Sequence, residues 1–380
     1  LTTVAFYIVP FVVVLSVVVF FHEFGHFIVG RWCGVQVDAF SIGFGPELFA
    51  RVDRHGTRWR VAAIPLGGYV KFHGDANAAS APDAESVESM PEAERAVTFA
   101  AQPVWERAAI VFAGPFANFI LAIAIFAALF SFYGRTVLTP RIGSVVAGGA
   151  GEKAGFMPGD LVLTIDGVGI PSFAKVQEIV SVSADAQLHF VVRRGDRDVS
   201  IAATPAWKEV EGGAGKVRIG MLGLKASTAP ADVRTERYGP VEAIGAGVSE
   251  TWQVVRRTGS YIGGLIAGRE RADQLSGPIG IAELSGNMAQ AAAKVGLAPF
   301  FNLIAILSVS VGLLNLMPVP LLDGGHLLFF GIEAIRGRAL NERAQEIAFR
   351  VGLAMVGTLM IFSTYNDLSR LIQRLTGGAS

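Results

Sequence analysis

The chain is 380 residues long, 52% hydrophobic and only 17% charged, with equal numbers of basic and acidic residues. That balance offers no basic surplus to a nucleic-acid partner. A mean hydropathy of +0.48 instead places the chain among polytopic α-helical membrane proteins with a soluble insert. Six histidines and one cysteine bound the supply of metal ligands, and the single thiol, Cys33, makes no internal disulfide.

Residues 4 to 29 form an apolar run interrupted near its end by His22-Glu23-Phe24-Gly25-His26. About 26 helical residues rise about 39 Å, enough to cross a hydrocarbon core of about 30 Å. The run has no basic stretch before it and no small-residue cleavage site after it, so it is expected to stay in the mature protein as the first element, 1–34. Ionisable groups in hydrocarbon cost roughly 2.5–3.5 kcal/mol each, so they persist mainly where they bind, conduct or catalyse. Four residues apart on a helix, His22 and His26 share one face and can share a metal ion, with Glu23 close enough to activate a water. This is a zinc hydrolase signature. The bland alternative, satisfied core histidines beside a helix-end acid, suits a soluble helix better than this apolar one.

Residues 35–107 read as a membrane-associated β region and a linker. Gly43-Phe44-Gly45-Pro46, a basic cluster (Arg51, Arg54, Arg58, Arg60) and Ile64-Pro65-Leu66-Gly67-Gly68-Tyr69-Val70-Lys71 predict strands and turns over 35 to 73. The Ala-, Ser- and Pro-rich stretch 74 to 103 predicts a linker. A second span follows at 108–134, with its apolar length ending near 133. Its small residues Ala113 and Gly114 and the polar Asn118 predict close helix packing with an interhelical hydrogen bond, a structural role for Asn118. Residues 135–228 change character: short β runs such as Leu161-Val162-Leu163-Thr164-Ile165 and His189-Phe190-Val191-Val192 alternate with turns, giving a soluble domain in which His189 is structural. The next segment, 229–296, predicts amphipathic helix along the membrane surface, with Trp252, Arg256 and Arg257 and a break at Ser276-Gly277-Pro278.

Residues 297–380 hold a third span, about 297 to 317, and a short fourth, about 347 to 364, where Arg350 can snorkel to the interface. The third ends in a stretch from Asn315 through Pro318, Pro320, Asp323, Gly324 and Gly325 to His326, where the prolines and paired glycines prevent a regular helix. Irregular backbone at membrane depth is tolerated against protein or a water-filled cavity, so this segment should line a site. Arg31, the 51–71 cluster, Arg336, Arg338 and Arg343 predict a cytoplasmic side, which leaves both termini and the insert outside. Catalytic zinc takes three protein ligands, so one is missing from the His pair. Asp323, His326 and Glu333 lie at the right depth, with Asp323 at the helix break the best placed. Asn315 can hold a substrate backbone, or simply bond a neighbouring helix. A scaffold with a vestigial metal site and a metal transporter are the competing classes; the intact Glu23 argues against the first and the lack of inverted repeats against the second.

These motifs, His22-Glu23-Phe24-Gly25-His26 with Asn315 to Gly325, resemble the site-2 protease family of intramembrane zinc metalloproteases. Within the insert, Gly143-Ser144-Val145, Lys153-Ala154-Gly155-Phe156-Met157-Pro158-Gly159-Asp160 and Ile165-Asp166-Gly167 resemble a bacterial PDZ domain of mixed α/β fold. The arrangement is similar to the sigma-E-regulator type of the family. The resemblance implies Zn2+ held by His22, His26 and Asp323, Glu23 as general base and Asn315 on substrate. It also implies a membrane-entering hairpin whose Gly67-Gly68-Tyr69 segment pairs with an unwound substrate strand. The implied substrate is a single-span membrane protein, such as an anti-sigma factor, in the inner membrane of a bacterium, with the PDZ domain periplasmic and the site toward the cytoplasm. One departure is plain: the chain has room for one PDZ domain where the sigma-E type carries two.

Overall fold

The computed structural model describes residues 2–75, 90–212, 215–268 and 276–377. The chain divides into two compact units, one of Leu1–Ala127, Ile244–Arg256 and Ala272–Ser380, the other of Ala128–Ala243 and Arg257–Arg271.

Helix α1 (Thr2–Trp32) is apolar on all faces apart from its motif, as a helix surrounded by lipid and protein must be. Two long antiparallel strands follow, β1 (Val37–Val52) and β2 (Arg58–Phe72). They fold so that Phe40 lies opposite both Val70 and Trp59, and Ile42 opposite both Gly68 and Val61. The sheet is anchored by Phe27, Val37, Phe40, Val70, Phe72 and Ile110, which form one buried cluster. Beyond β2, residues 76–89 of the expected linker lie outside the described residues, and Glu92–Arg95 makes a single helical turn. Helix α2 (Val104–Phe132) then crosses α1 at close range. Small residues make that possible: a Cβ on Gly25 would overlap Ala113 O, and one on Gly114 would overlap the His26 ring.

The second unit holds most of the inserted β structure. Strands β3 (Arg135–Leu138) and β4 (Ile142–Val145) lead to β5 (Leu161–Ile165) and β6 (Val168–Gly169). Helix α3 (Phe173–Val182) follows, its N-terminus capped by Ser172, which accepts from Lys175 N–H at 3.4 Å. Strands β7 (Leu188–Arg194) and β8 (Arg197–Ala203) complete a sheet of order β6-β5-β7-β8. The hairpin β9 (Ala206–Gly212) and β10 (Gly215–Met221) and the short β11 (Leu224–Ala226), paired with β4, come next. Ile142, Phe156, Val162, Phe190 and Val192 form the core. Strand β12 (Val233–Glu236) returns to pair with β3. Residues 233–236, expected in the helical segment 229–296, are thus strand. Their alternation Val-Arg-Thr-Glu is too short to read against the helix that follows.

Helix α4 (Pro240–Ile266) packs Gly247 against Ile123 O of α2, where a Cβ would stand 2.7 Å away. Helices α5 (Pro278–Val295) and α6 (Ala298–Asn315) precede a break, after which α7 (Asp323–Arg336) and α8 (Glu342–Gly377) end the chain. Among the described residues four helices are long and apolar enough to cross a membrane: Phe6–Trp32, Val104–Phe132, Ala298–Asn315 and Arg343–Gln373. The chain is accordingly a membrane protein. The fourth extends well past the expected 347 to 364, because the polar residues beyond it are satisfied within the fold. Asp367 is buried and accepts from Gly280 N–H at 2.8 Å and from Arg370 at 2.7 Å.

Candidate metal centre and active site

The site is assembled from three separate places in the chain. From α1 come His22, Glu23 and His26, within the last three turns of the helix, whose end Arg31 ties to Asp53 at 2.6 Å. Asp53 sits in the turn between β1 and β2. Burial pushes its carboxyl up, but hydrogen bonds from Trp59, His55 N–H, Arg31 and Thr57 N–H outweigh burial and hold it below the usual carboxylate range. The turn and the motif-bearing end of α1 are therefore one rigid piece.

From β2 come Gly67, Gly68, Tyr69 and Val70. Gly67 adopts φ +120°, a backbone conformation that favours glycine, with Phe44 against it. Gly68 lets the strand pass beside the motif: a Cβ there would stand 2.7 Å from Ser41 O, 2.9 Å from Val19 and 3.1 Å from the Glu23 side chain. Val70 N–H hydrogen-bonds the Glu23 carboxylate.

From the break after α6 comes Asp323. The segment turns tightly, with Leu321 at φ 139°, which an L residue rarely adopts. Gly324 and Gly325 lie directly on the backbone of Leu316–Pro320, too close for any side chain. Asp323 opens α7 and points to the histidine pair. The far end of α7 is held by Glu333, which accepts from Arg107 of α2 at 2.6 Å while the guanidinium lies 5.0 Å from the Phe330 ring.

His22, His26 and Asp323 each offer one ligand atom, all within 4.8 Å of one another. The two Nε2 atoms are 3.4 Å apart; His22 Nε2 lies 3.1 Å from Asp323 Oδ2, and His26 Nε2 lies 3.6 Å from Oδ1. Ligands about 2.0–2.1 Å from a tetrahedral zinc stand about 3.3 Å apart, so the triangle has the size zinc requires. Asp323 Oδ2 is also buried without a hydrogen-bond partner despite its nearness to His22, as expected of an oxygen aimed at a shared centre rather than at a donor. The donor set therefore fits zinc.

These residues line a cavity of about 340 Å³ together with Gly67, Gly68, Tyr69, Asn315 and His326. His22, Glu23, His26, Asn315, Asp323 and the Gly67–Tyr69 segment, distant in sequence, are thus brought to one place, whereas Glu333 is not. Among the three candidates for a third ligand, Asp323 stands beside the histidines. His326 lines the same cavity but packs its ring against Phe349 at 5.5 Å, and Glu333 is engaged by Arg107. Asn315 reaches His22 Nε2 at 3.4 Å.

Other contributors are not readable from the sequence. His26 Nδ1 donates to the backbone carbonyl of Ile110 at 2.9 Å, and Val70 orients Glu23 through its backbone. Backbone groups carry no sequence signal of this kind. Asn118 makes the expected interhelical bond, but with the metal-binding candidate itself: its side-chain amide lies 3.4 Å from His22 Nδ1.

Comparison with known proteins agrees with this geometry. Residues 10–359 match the model of peptidase family M50. A relative in Rhizobium meliloti (strain 1021), which carries the name "putative zinc metalloprotease", is 48% identical over 367 residues, spanning 96% of this chain and 97% of its own. One of the same description in Agrobacterium fabrum (strain C58) is also 48% identical over 367 residues, spanning 96% of each chain. Metalloprotease MmpA of Caulobacter vibrioides is 42% identical over 382 residues, spanning 96% of this chain and 95% of its own. On a match of this extent, joined to a His-His-Asp cluster of zinc dimensions, the chain belongs to peptidase family M50, the site-2 protease family of zinc metalloproteases.

Proposed function

We propose that this metalloprotease cuts a single-span membrane protein within or near its transmembrane segment. The observation that carries the proposal is that the donor triangle and Glu23 share a cavity with residues of helices apolar and long enough to cross a bilayer. A site so surrounded selects for a peptide bond that is itself membrane-borne.

In this reading His22, His26 and Asp323 hold the zinc. Bound there, zinc supplies Lewis acidity toward a water and a peptide carbonyl. Glu23 takes the proton of that water and delivers it to the leaving amine, and Val70 N–H keeps its carboxylate turned toward the cavity. Asn315 lies within 3.4 Å of His22 Nε2, near enough to hold a substrate carbonyl or amide beside the reacting centre. A helical peptide bond is shielded by its own hydrogen bonds, so the substrate must unwind before attack. The Gly68–Val70 segment is paired through Phe40–Ile42 and also lines the cavity, which suits it to receive an extended strand, with Gly67, Gly68 and Tyr69 as the contact.

The insert between β3 and β12 is read as a single PDZ domain, supported by the four-stranded sheet with helix α3 and by the Gly159-Asp160 turn of its motif. With the basic residues near the motif end taken as cytoplasmic, the insert is periplasmic and the chain resides in a bacterial inner membrane. A trimmed anti-sigma factor is a substrate of the right topology.

The test is reconstitution of the purified chain in liposomes with a single-span substrate, alongside Glu23→Gln. Cleavage at a bond within or next to the apolar segment, lost in the variant while zinc is retained, is the expected result. Equal cleavage by both proteins, or cuts confined to the soluble part of the substrate, would overturn the proposal.

A further inference from the structure

The two histidines are presented alike by α1 but are held differently from behind. His26 Nδ1 faces the carbonyl of Ile110 at 2.9 Å. A carbonyl only accepts, so Nδ1 carries the proton and Nε2 is bare. Nε2 is the atom that stands 3.6 Å from Asp323 Oδ1, so this tautomer is the one a metal needs. To share a metal, His22 must present the same bare Nε2, since that ring atom, and not Nδ1, faces His26 Nε2 at 3.4 Å and Asp323 Oδ2 at 3.1 Å across the ligand triangle. Its Nδ1 must then carry the proton and requires an acceptor.

The group behind His22 Nδ1 is the side chain of Asn118, 3.4 Å away and fully buried. With Nδ2 turned to the ring, two donors would face each other, and Asn118 Oδ1 is left buried without a partner. Rotating the amide by half a turn removes the conflict, because Oδ1 then accepts from His22 Nδ1–H. The backbone keeps the residue in place. Asn118 O accepts from Ser308 Oγ of α6 at 2.8 Å, and Gly312 of α6 packs on Asn118 Cβ, where an added methyl would stand 3.3 Å away. Gly114 and Asn118, one turn apart on α2, thus lie against His26 and His22, one turn apart on α1.

We propose that Asn118 is a positioning residue of the metal centre: its side-chain carbonyl accepts His22 Nδ1–H and fixes the tautomer that leaves Nε2 bare for zinc. The proposal rests on the reading of His22, His26 and Asp323 as zinc ligands. Groups in this position typically contribute about 10–100-fold to metal affinity.

The experiment measures zinc affinity of the full-length chain in detergent by competition with a chromophoric chelator, and records the absorption spectrum of the Co2+-substituted protein. Asn118→Leu keeps the size and removes the acceptor; Asn118→Asp keeps an acceptor and removes the donor. We expect Asn118→Leu to lose about 10–100-fold in affinity with an altered Co2+ spectrum, and Asn118→Asp to stay within about threefold of the parent with its spectrum preserved. If Asn118→Leu does not fold, Asn118→Asp decides alone. Loss in Asn118→Asp equal to that of His22→Ala would mean that the amide donates, and overturns the proposal. Wild-type affinity in Asn118→Leu overturns it as well, provided His22→Ala loses zinc. If His22→Ala binds zinc as the parent does, the ligand assignment itself fails, and that outcome is separate from the other two.

Discussion

Gly114 gives the sharpest test of how the site is built. A Cβ at this position would overlap both Nε2 and Cε1 of His26, far inside the roughly 3.5 Å at which such atoms normally touch. The ring cannot swing aside at low cost, because Nδ1 is tied to Ile110 O at 2.9 Å and Gly25 of the same turn already abuts Ala113 O. Gly114→Ala must therefore push His26 by about 1 Å or separate α1 from α2. A displacement of about 1 Å at a reacting centre costs on the order of 100-fold in rate. Zinc analysis and turnover on a single-span substrate, measured on protein of equal thermal midpoint, are expected to fall together. Gly331→Ala is the control: it lies on α7, the helix that Asp323 begins, and an added Cβ there meets nothing within 4 Å. Wild-type zinc affinity and turnover in Gly114→Ala would refute the claim that the glycine is there to admit the ring.

Removing zinc with 1,10-phenanthroline should abolish cleavage and stoichiometric Zn2+ should restore it; activity in protein shown by metal analysis to be zinc-free would contradict a metal-dependent reaction. Arg107→Met should destabilise the chain by about 1.5–3 kcal/mol, since it strands the half-buried Glu333 carboxylate that it now meets at 2.6 Å. Adding Glu333→Met should recover much of that loss in the thermal midpoint. Asp160 titrates in the inserted unit: burial pushes its carboxyl up, but Arg194 and Met157 N–H outweigh burial and hold it below its ordinary value of 3.8. The unfolded chain therefore binds that proton more readily, so the contribution is complete above about pH 5 and fades as pH falls through 3.8 and lower. Unfolding of the insert followed against pH should show this acid loss, and Arg194→Met should flatten it; an unchanged slope in the variant would count against the pair.

How much of this was legible in the sequence differs sharply between side chains and backbone. The four spans, the His-Glu-His motif and the acid at the helix break are visible because each breaks a pattern: charge inside an apolar run, or proline and glycine where a helix is needed. Asp323 could be preferred over His326 and Glu333 by the irregular backbone around it, and the geometry gives that preference its physical reason in the Arg107–Glu333 pair and the Phe349 packing of His326. The extent of the last helix was not legible. Asn366, Asp367 and Arg370 lower its hydropathy without breaking it, and the α5 contact that satisfies Asp367 is 87 residues away in sequence. Nor could β12 be read, since four residues of strand acquire meaning only through their pairing with β3.

The least legible part is also the part that makes the motif a site. An HExxH helix in a bilayer presents two imidazoles that could each adopt either tautomer and several rotamers. Water, which in an open site supplies donors and acceptors on demand, is not what stands behind either ring. The neighbours must therefore fix the rings from behind: a backbone carbonyl, which only accepts, stands behind His26, and the buried Asn118 amide stands behind His22. Such groups reach the rings only if α1 and α2 cross at near backbone contact. Gly25 and Gly114 are the residues that allow this crossing, so the glycine inside the motif shapes the candidate metal centre as directly as the histidines on either side of it.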